Sequence, residues 1–332
     1  MKIKVLITLI FLCCSAAKSQ PIFYKNLVME GGGIRGIAYV GAIDELQKNN
    51  LLDSIQNVAG TSAGSILAVL LAVDYKADEL KEILANIKFQ QFNDNEFGFV
   101  SGSKRLIKKY GWYKGNNFEN FIEKLISKKT AQHNITLLQL HQLHILQPLK
   151  YKDLFVTATD LVSQQAIVIS YKNYPEMPVS KAVRCSMSIP YYFKPVQWIF
   201  KSDSFSYQQI LVDGGVLMNY PITIFDKQYS SNQTIGLRLD DSIETFNYNK
   251  QLLPNKNKTN QLKIRNIKDF TMDFYYLIMT SLNDKNLTAE DEKRTIQISP
   301  GNIGQKIKRL KKSEVELLVN NGRMAVSSFL KK

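Results

Sequence analysis

Residues 57–72 read NVAGTSAGSILAVLLA and place one serine, Ser62, between two glycines, after an apolar run and before a helix-forming run. The pattern G-x-S-x-G between a strand and a helix predicts a nucleophile elbow. Such a turn strains its central residue and brings backbone so close that Gly60 and Gly64 must lack a Cβ. The serine hydroxyl then lies at a helix N-terminus, which stabilises negative charge. The alternative is a small-residue turn in which Ser62 only caps the helix.

A second strand, loop and helix precede this elbow. Residues 26–30 (NLVME) form an apolar strand candidate, GGGIRG follows, and apolar residues recur at helical spacing over 37–47. Consecutive glycines leave backbone N–H groups unobstructed, and an arginine adds positive charge that can hold the loop or face an anionic head group. We therefore expect an oxyanion cradle that consists of Gly31, Gly32, Gly33, Ile34, Arg35 and Gly36.

The same glycine pattern also fits a dinucleotide-binding loop, with Asp53 at a suitable distance for a ribose contact. The second strand of such a unit should end at an acidic residue, whereas the run 55–59 ends at the serine elbow. A nicotinamide oxidoreductase would also leave GTSAG and DGG without a role. The oxyanion cradle is the better interpretation, and cofactor titration distinguishes the two.

A third motif supplies a carboxylate. The apolar run 210–212 ends in Asp213-Gly214-Gly215. The C-terminal ends of strands are where α/β sheets present catalytic groups, although an Asx turn would favour the same glycines. Asp213 is the best-placed base for Ser62.

The histidines support this choice of base. The chain contains only His133, His141 and His144. A triad of the α/β-hydrolase type requires a histidine after the acid in chain order, and all three precede Asp213. The remaining alternative is a histidine that reaches Ser62 with Asp74 or Asp94 behind it. A helical pair of histidines also suggests a metal, but no cysteine or carboxylate accompanies it at ligand spacing, so no metal is expected.

Composition bounds the class of protein. The chain has 332 residues, of which 45% are hydrophobic and 11% aromatic, which predicts a substantial core in one large domain or two small ones. A net charge of +14 indicates nucleic acid, an acidic membrane surface, or simply a solvated basic surface. Residues 251–332 contain 16 Lys and Arg against 8 Asp and Glu. The basic character therefore concentrates there.

The N-terminus has the pattern of a secretory signal peptide over residues 1–19. Lys2 and Lys4 precede an apolar run that is too short to cross a bilayer, and small residues follow it. Cys13 and Cys14 suggest lipidation, but bulky residues stand where small ones normally precede a lipidated cysteine. We expect export to the periplasm, the outer surface or the medium.

Three stretches carry less specific expectations. Residues 90–114 lack clear periodicity and predict a long loop, either a lid or a plain surface excursion. Residues 221–229 predict a helix with Pro221 in its first turn. Ser313 and Glu316 predict a capping box for the last helix.

Taken together, GGGIRG at 31–36, GTSAG at 60–64 and DGG at 213–215 resemble the patatin-like phospholipase family of serine lipid acyl hydrolases. KDLFVTATDL at 152–161 and RCSMSIPYYFKP at 184–195 resemble it too. The resemblance covers residues 24–240 and weakens beyond. Cys185 replaces a common alanine, and it is the one cysteine left after signal cleavage, so no internal disulfide is expected.

The resemblance implies a three-layer α/β/α fold with a mostly parallel central sheet. It implies a catalytic domain over 24–240, on which a basic extension, 241–332, packs. It further implies a Ser62–Asp213 dyad, an oxyanion hole at residues 31–36, and supporting glycines at Gly60, Gly64, Gly214 and Gly215. The expected activity is hydrolysis of fatty acyl esters in lipids or phospholipids without metal or cofactor. The expected partners are lipids, membranes and anionic surfaces rather than nucleic acid. A catalytically silent lipid-binding protein of the same fold is the alternative, which an activity assay would distinguish.

Overall fold

The computed structural model describes residues 23–87, 89–94, 105–202, 205–240, 267–283, 287–304 and 309–331. The signal-peptide prediction for residues 1–19 lies outside these ranges. Within them, no helix combines the length and the apolar character needed to cross a bilayer.

An eight-stranded sheet forms the centre of the molecule. Its strands are β1 (Asn26–Met29), β2 (Asn57–Gly60), β4 (Asp153–Asp160), β5 (Gln165–Ile169), β7 (Val196–Lys201), β8 (Ser206–Asp213), β9 (Thr234–Leu239) and β10 (Thr295–Ile298). The strand order is β10-β9-β1-β2-β4-β8-β7, and β5 pairs with β4 as well. Pairing is parallel from β10 to β4, whereas β5 and β8 run antiparallel to β4. The sheet is therefore mostly parallel, as expected. A small second sheet joins β3 (Gly111–Tyr113) to β6 (Tyr191–Phe193).

The described ranges contain helical residues at 105–109 and the following named α-helices. They are α1 (Ala38–Lys48), α2 (Ala63–Ala72), α3 (Ala77–Asn86), α4 (Asn116–Thr130), α5 (Leu137–Leu146), α6 (Val179–Ser186), α7 (Ile267–Asn283), α8 (Ala289–Lys293) and α9 (Lys312–Phe329).

Both faces of the sheet are buried, and the alternation along β1 shows it. Leu27 and Met29 point into the main core, whereas Val28 points into a second cluster with Ala59 and Phe155. Successive side chains of a strand face opposite ways, so layers cover the sheet on both sides. The predicted three-layer α/β/α architecture is confirmed.

The C-terminal segment contributes to this same architecture. Strand β10 extends the sheet beyond β9, and α9 packs against α1. The two helices touch through glycine: a Cβ on Gly41 would lie 1.8 Å from the Val319 carbonyl oxygen, and one on Gly322 would lie 2.0 Å from that of Ala38. Larger residues would force these helices apart.

The predicted helix at residues 221–229 is wrong. The chain there makes successive turns, in which Ile224 N–H donates to the Pro221 carbonyl and Asp226 N–H to that of Thr223. Consecutive β-branched residues disfavour a helix. The buried side chains of Ile222 and Phe225 instead anchor the turns to the sheet.

Two further predictions need correction. The stretch 90–114 contains strand β3, so it is not wholly loop, although residues 95–104 lie outside the described ranges. The last helix is capped two residues earlier than expected: the Glu314 carboxylate accepts a 2.7 Å hydrogen bond from Lys311 N–H. Glu316 and Ser313 therefore lie inside the helix.

Candidate active site

Ser62 stands on the strained turn that the sequence predicts. It lies between β2 and α2 with φ 49° and ψ −119°, a region that side chains other than glycine rarely adopt. A Cβ on Gly64 would lie 2.4 Å from the Met29 carbonyl oxygen, and one on Gly60 would lie 2.3 Å from the Gly64 backbone. The two flanking glycines are therefore sterically required. Ser186 Oγ accepts a 2.9 Å hydrogen bond from Ser62 N–H and steadies the turn.

The glycine-rich loop backs directly onto this turn. A Cβ on Gly31 would lie 3.3 Å from Ser62 Cβ, and one on Gly36 would lie 3.1 Å from Ala63 Cβ. Gly33 has φ 57° and begins a short 3₁₀ helix, Gly33–Ile37. Within the described residues, the N–H groups of Gly32 and Gly33 donate to no backbone acceptor, and nor does that of Ala63.

Other members of the loop are engaged elsewhere. Gly31 N–H donates to the Asn219 carbonyl at 3.1 Å, and Arg35 N–H donates to the Gly32 carbonyl at 3.3 Å. The Arg35 side chain is buried, and its charge acts on Tyr276 of helix α7. The Arg35 guanidinium therefore lies inside the protein, within reach of α7, and its two expected roles stay predictions.

Asp213 reaches Ser62 by a different route from the one expected. It ends β8, which runs antiparallel, and it pairs with Ala158 of β4. Ala158 lies two residues beyond Val156, the partner of Gly60 in β2. The register across β4 therefore brings the carboxylate towards the serine turn. The two residues do not meet as the C-terminal ends of neighbouring parallel strands, because β8 is antiparallel to β4.

The Asp213 carboxyl is completely buried. Its Oδ1 accepts a 2.8 Å hydrogen bond from Gly215 N–H, whereas its Oδ2 has no partner of normal geometry among the described residues. The hydroxyls of Ser62 and Tyr275 nevertheless lie close enough to lower its pKa. Burial outweighs these contacts and raises the pKa of Asp213 to about 6. In this resting geometry, Ser62 Oγ lies 3.5 Å from Met187 Sδ.

Helix α7 covers the pair. Met272, Tyr275, Tyr276 and Met279 on its inner face are buried with Ile189 in a separate cluster. A Cβ on Gly215 would lie 2.6 Å from the Tyr275 hydroxyl oxygen. Ser62 is 4% exposed and Asp213 is fully buried. The structure therefore shows a closed site with a tyrosine in its roof.

The histidines lie apart from this site. Asp153 accepts a 2.8 Å hydrogen bond from His141 Nδ1, and the imidazole stacks on Tyr171. Asp153 pairs with Asn57, at the opposite end of β2 from Ser62, and the strand between them is about 10 Å long. The other two histidines contact Ser127 and the Tyr151 carbonyl.

Asp74 and Asp94, the acids of the histidine alternative, have other partners, and Asp53 lies away from the glycine loop. Asp74 pairs with Lys76 at 2.6 Å, and Asp94 accepts backbone hydrogen bonds at the N-terminus of α4. Asp53 is exposed in the turn before β2, at the opposite strand end from the glycine loop, so it cannot contact a ligand there. The described residues contain no cluster of three metal-ligating side chains.

Sequence reasoning missed several residues of the site. Thr61 and Thr157 share a 2.6 Å hydroxyl contact beneath the turn, and both lie close to the Met218 carbonyl. Asn219 donates 2.9 Å to the Gly31 carbonyl. Asn219 lies four residues after Gly215 of the DGG motif, so its proximity could have been suspected. No local pattern marks Tyr275, because only the packing of α7 brings it to Asp213.

The fold and the site define an α/β/α protein with a serine elbow and a buried carboxylate on either side of one central strand. The family model of patatin-like phospholipases matches residues 27–226. The chain belongs to this family.

Several curated proteins are similar to this chain in sequence. An uncharacterised protein of Acanthamoeba polyphaga mimivirus is 35% identical over 64% of this chain and 64% of its own length. The uncharacterised protein YqhO of Bacillus subtilis is 31% identical over 65% of this chain and 71% of its own. A probable lipid hydrolase of invertebrate iridescent virus 6 is 26% identical over 64% and 66%. The match thus spans about two thirds of each relative.

Among solved structures, VipD from Legionella pneumophila superposes with a TM-score of 0.59 at 18% identity, over 93% of this chain and 67% of VipD. The type III effector ExoU superposes with a TM-score of 0.52 at 14% identity, over 93% and 53%. These likenesses concern the fold.

Proposed function

We propose that this protein hydrolyses fatty acyl esters of lipids, with Ser62 as the nucleophile and Asp213 as its base. The observation that carries the proposal is the strained Ser62 turn beside a buried carboxylate whose Oδ2 has no hydrogen-bond partner of normal geometry among the described residues. Family membership supports lipid acyl hydrolysis in general. Export, as expected for a cleaved signal peptide, would bring the enzyme to lipids outside the cytoplasm.

The first half of the reaction forms an acyl-enzyme. Asp213 accepts the proton of Ser62 as Oγ attacks the ester carbonyl carbon. The resulting oxyanion accepts hydrogen bonds from the N–H groups of Gly32, Gly33 and Ala63. The tetrahedral intermediate collapses, the ester C–O bond breaks, and Asp213 returns its proton to the leaving alkoxide.

The second half releases the fatty acid. Asp213 removes a proton from water, which attacks the acyl carbon, and the Ser62 oxygen leaves with that proton. A pKa of about 6 keeps Asp213 mostly ionised at pH 7, yet basic enough to accept a proton in the transition state. Tyr275 adds a hydroxyl that stays protonated, because burial and the Asp213 charge raise its pKa.

Helix α7, which covers the site, has an outer face that favours a lipid substrate. The outer face of α7 carries Phe270, Phe274 and Leu277, which are 51%, 51% and 60% exposed. The two phenyl rings stack with centroids 6.2 Å apart. An apolar face on the helix that closes the site suits contact with acyl chains. Contact there would favour displacement of α7 and entry of the ester.

The test compares wild type with Ser62→Ala. The wild type should release fatty acid from mixed phospholipid vesicles and form a covalent adduct with a fluorophosphonate probe. Ser62→Ala removes one oxygen at a turn, so we expect a folded protein without either activity. Labelling that persists in the folded variant would place the nucleophile elsewhere, and a wild type that neither labels nor hydrolyses would favour a silent lipid-binding protein.

A further inference from the structure

One cavity, whose lining includes neither Ser62 nor Asp213, carries a concentration of positive charge. Its volume is about 360 Å³, within the range of small-molecule sites. Six cationic side chains line it together with one carboxylate, Glu119. The cations are Arg105, Lys109, Lys114, Lys181, Arg184 and Lys194.

Arg184 is the buried floor of this cavity, with 2% of its surface exposed. It donates four hydrogen bonds, to the carbonyls of Gly115, Lys114 and Lys194 and to Ser188 Oγ. All four acceptors are neutral, so these bonds orient the guanidinium without cancelling its charge. A buried charge without an opposite charge is costly, and burial accordingly lowers the pKa of Arg184.

The nearby carboxylates do not balance this cluster. Glu119 pairs with Lys181 at 2.9 Å, and Asp94 accepts hydrogen bonds from the N–H groups that begin α4. Within the described residues, Arg105, Lys109, Arg184 and Lys194 form no ion pair. Burial and then the charges of Lys109, Arg184, Arg105 and Lys181 lower the pKa of Lys194. The cations therefore repel one another across the cavity.

We propose that this cavity binds a phosphate-bearing ligand, whose anionic group lies between Lys109 and Lys194 above the buried guanidinium of Arg184. Arg184 has one of its five N–H groups left for the ligand, so it acts mainly as a fixed positive charge. Lys109 is exposed and Lys194 is half buried. Their mobile ammonium groups can close on the phosphate oxygens.

The chemistry of the ligand follows from the charge. Several cations without an ion pair line one small volume, so the single charge of a carboxylate ligand would neutralise too little of their positive charge. A phosphate monoester carries about 1.5 to 2 negative charges near pH 7 and three strong acceptor oxygens, and a diphosphate carries more of both. That group occurs both in soluble phosphorylated molecules and in lipid head groups.

The first experiment measures pyrophosphate binding to the full chain by calorimetry at low salt. The wild type should show saturable binding with a rise in melting temperature. Lys109→Gln combined with Lys194→Gln should weaken binding by about tenfold for each lysine removed. Lys227→Gln, an exposed lysine outside the cavity, is the matched control and should bind as the wild type does.

Folding provides an independent check on the double variant. Because the substitutions relieve repulsion, the unliganded double variant should melt at or above the wild-type temperature. A folded double variant that binds pyrophosphate as tightly as the wild type would overturn the proposal. Absence of saturable binding in the wild type would overturn it too, as would equal weakening by Lys227→Gln.

Vesicles distinguish the two sources of the phosphate group. One set contains phosphatidylcholine with phosphatidic acid, whose phosphate is a monoester, and the other contains phosphatidylserine at equal surface charge. A preference for phosphatidic acid that the double variant loses assigns the cavity to a lipid head group. Pyrophosphate binding without that preference assigns it to a soluble phosphorylated ligand. Both readouts measure binding, so they do not depend on ester hydrolysis.

Discussion

Replacing Asp213 by asparagine should make the protein more stable while removing its activity. The carboxyl is fully buried, and burial raises its pKa from 3.8 to about 6. The unfolded chain retains the ordinary pKa, so between these two values the folded state holds a proton that the unfolded state has lost. Stability from this group is therefore greatest in acid and falls as pH rises towards 6.

The magnitude follows from the two pKa values. A rise of about two pH units in a pKa corresponds to about 3 kcal/mol, which the wild type loses in full above pH 7. Asparagine never ionises, and its amide can donate to the hydroxyl oxygen of Ser62 or Tyr275. We expect Asp213→Asn to gain up to about 3 kcal/mol at pH 8, and only about 1 kcal/mol at pH 4.5.

Urea unfolding at both pH values measures this difference, and ester hydrolysis at pH 8 measures the loss of the base. Loss of a general base typically costs about 10²–10⁴-fold in rate. Asp160→Asn is the matched control on strand β4, because hydrogen bonds from Tyr207, Ser163 and two backbone N–H groups lower the pKa of Asp160 despite its burial. That variant should lose stability at pH 8.

Two results would refute this reasoning. One is an Asp213→Asn variant that is no more stable than the wild type at pH 8, or whose advantage does not change with pH. That outcome would mean that burying the ionised Asp213 carboxylate does not lower the free energy of unfolding. The other is unchanged turnover, which would remove Asp213 from the reaction.

Three further predictions test the surroundings of the site. Tyr275→Phe removes a hydroxyl that lowers the pKa of Asp213, so the acidic limb of the kcat/KM profile should move to higher pH; a limb that stays in place would deny the contact. Changing all three histidines to Gln should leave most of the hydrolytic rate, provided that circular dichroism shows a folded protein; a fall to the level of Ser62→Ala would make a histidine the base. Binding to anionic vesicles should exceed binding to neutral ones at low salt and weaken with added salt, since exposed cations contribute about 1 kcal/mol each near such a surface; equal partitioning would contradict a role for the basic surface.

The sequence by itself determined the parts of this protein that depend on short-range geometry. Gly60 and Gly64 mark the elbow because a Cβ at either position would collide with backbone only a few residues away or on the adjoining strand. The glycine loop and the Asp213-Gly214-Gly215 turn are likewise local patterns. Chain order alone argued against a histidine base, and the structure places the histidines apart from Ser62.

Local patterns failed where distant packing decides the backbone. Residues 221–229 begin with a proline, as many helices do. The buried side chains of Ile222 and Phe225 nevertheless hold this stretch in turns against the sheet. Strand β3 has only three residues, and its pairing with β6 is what makes it a strand.

Only the tertiary structure decided how the site is closed and where its charges lie. Helix α7 brings Tyr275 to Asp213, β8 reaches Ser62 through an antiparallel register, and the fold leaves the buried Arg184 among neutral acceptors. No local sequence pattern marks these contacts, because each joins elements that lie far apart in the chain. Their energies arise from desolvation and from charges facing one another across a cavity, and both quantities exist only once the chain has folded.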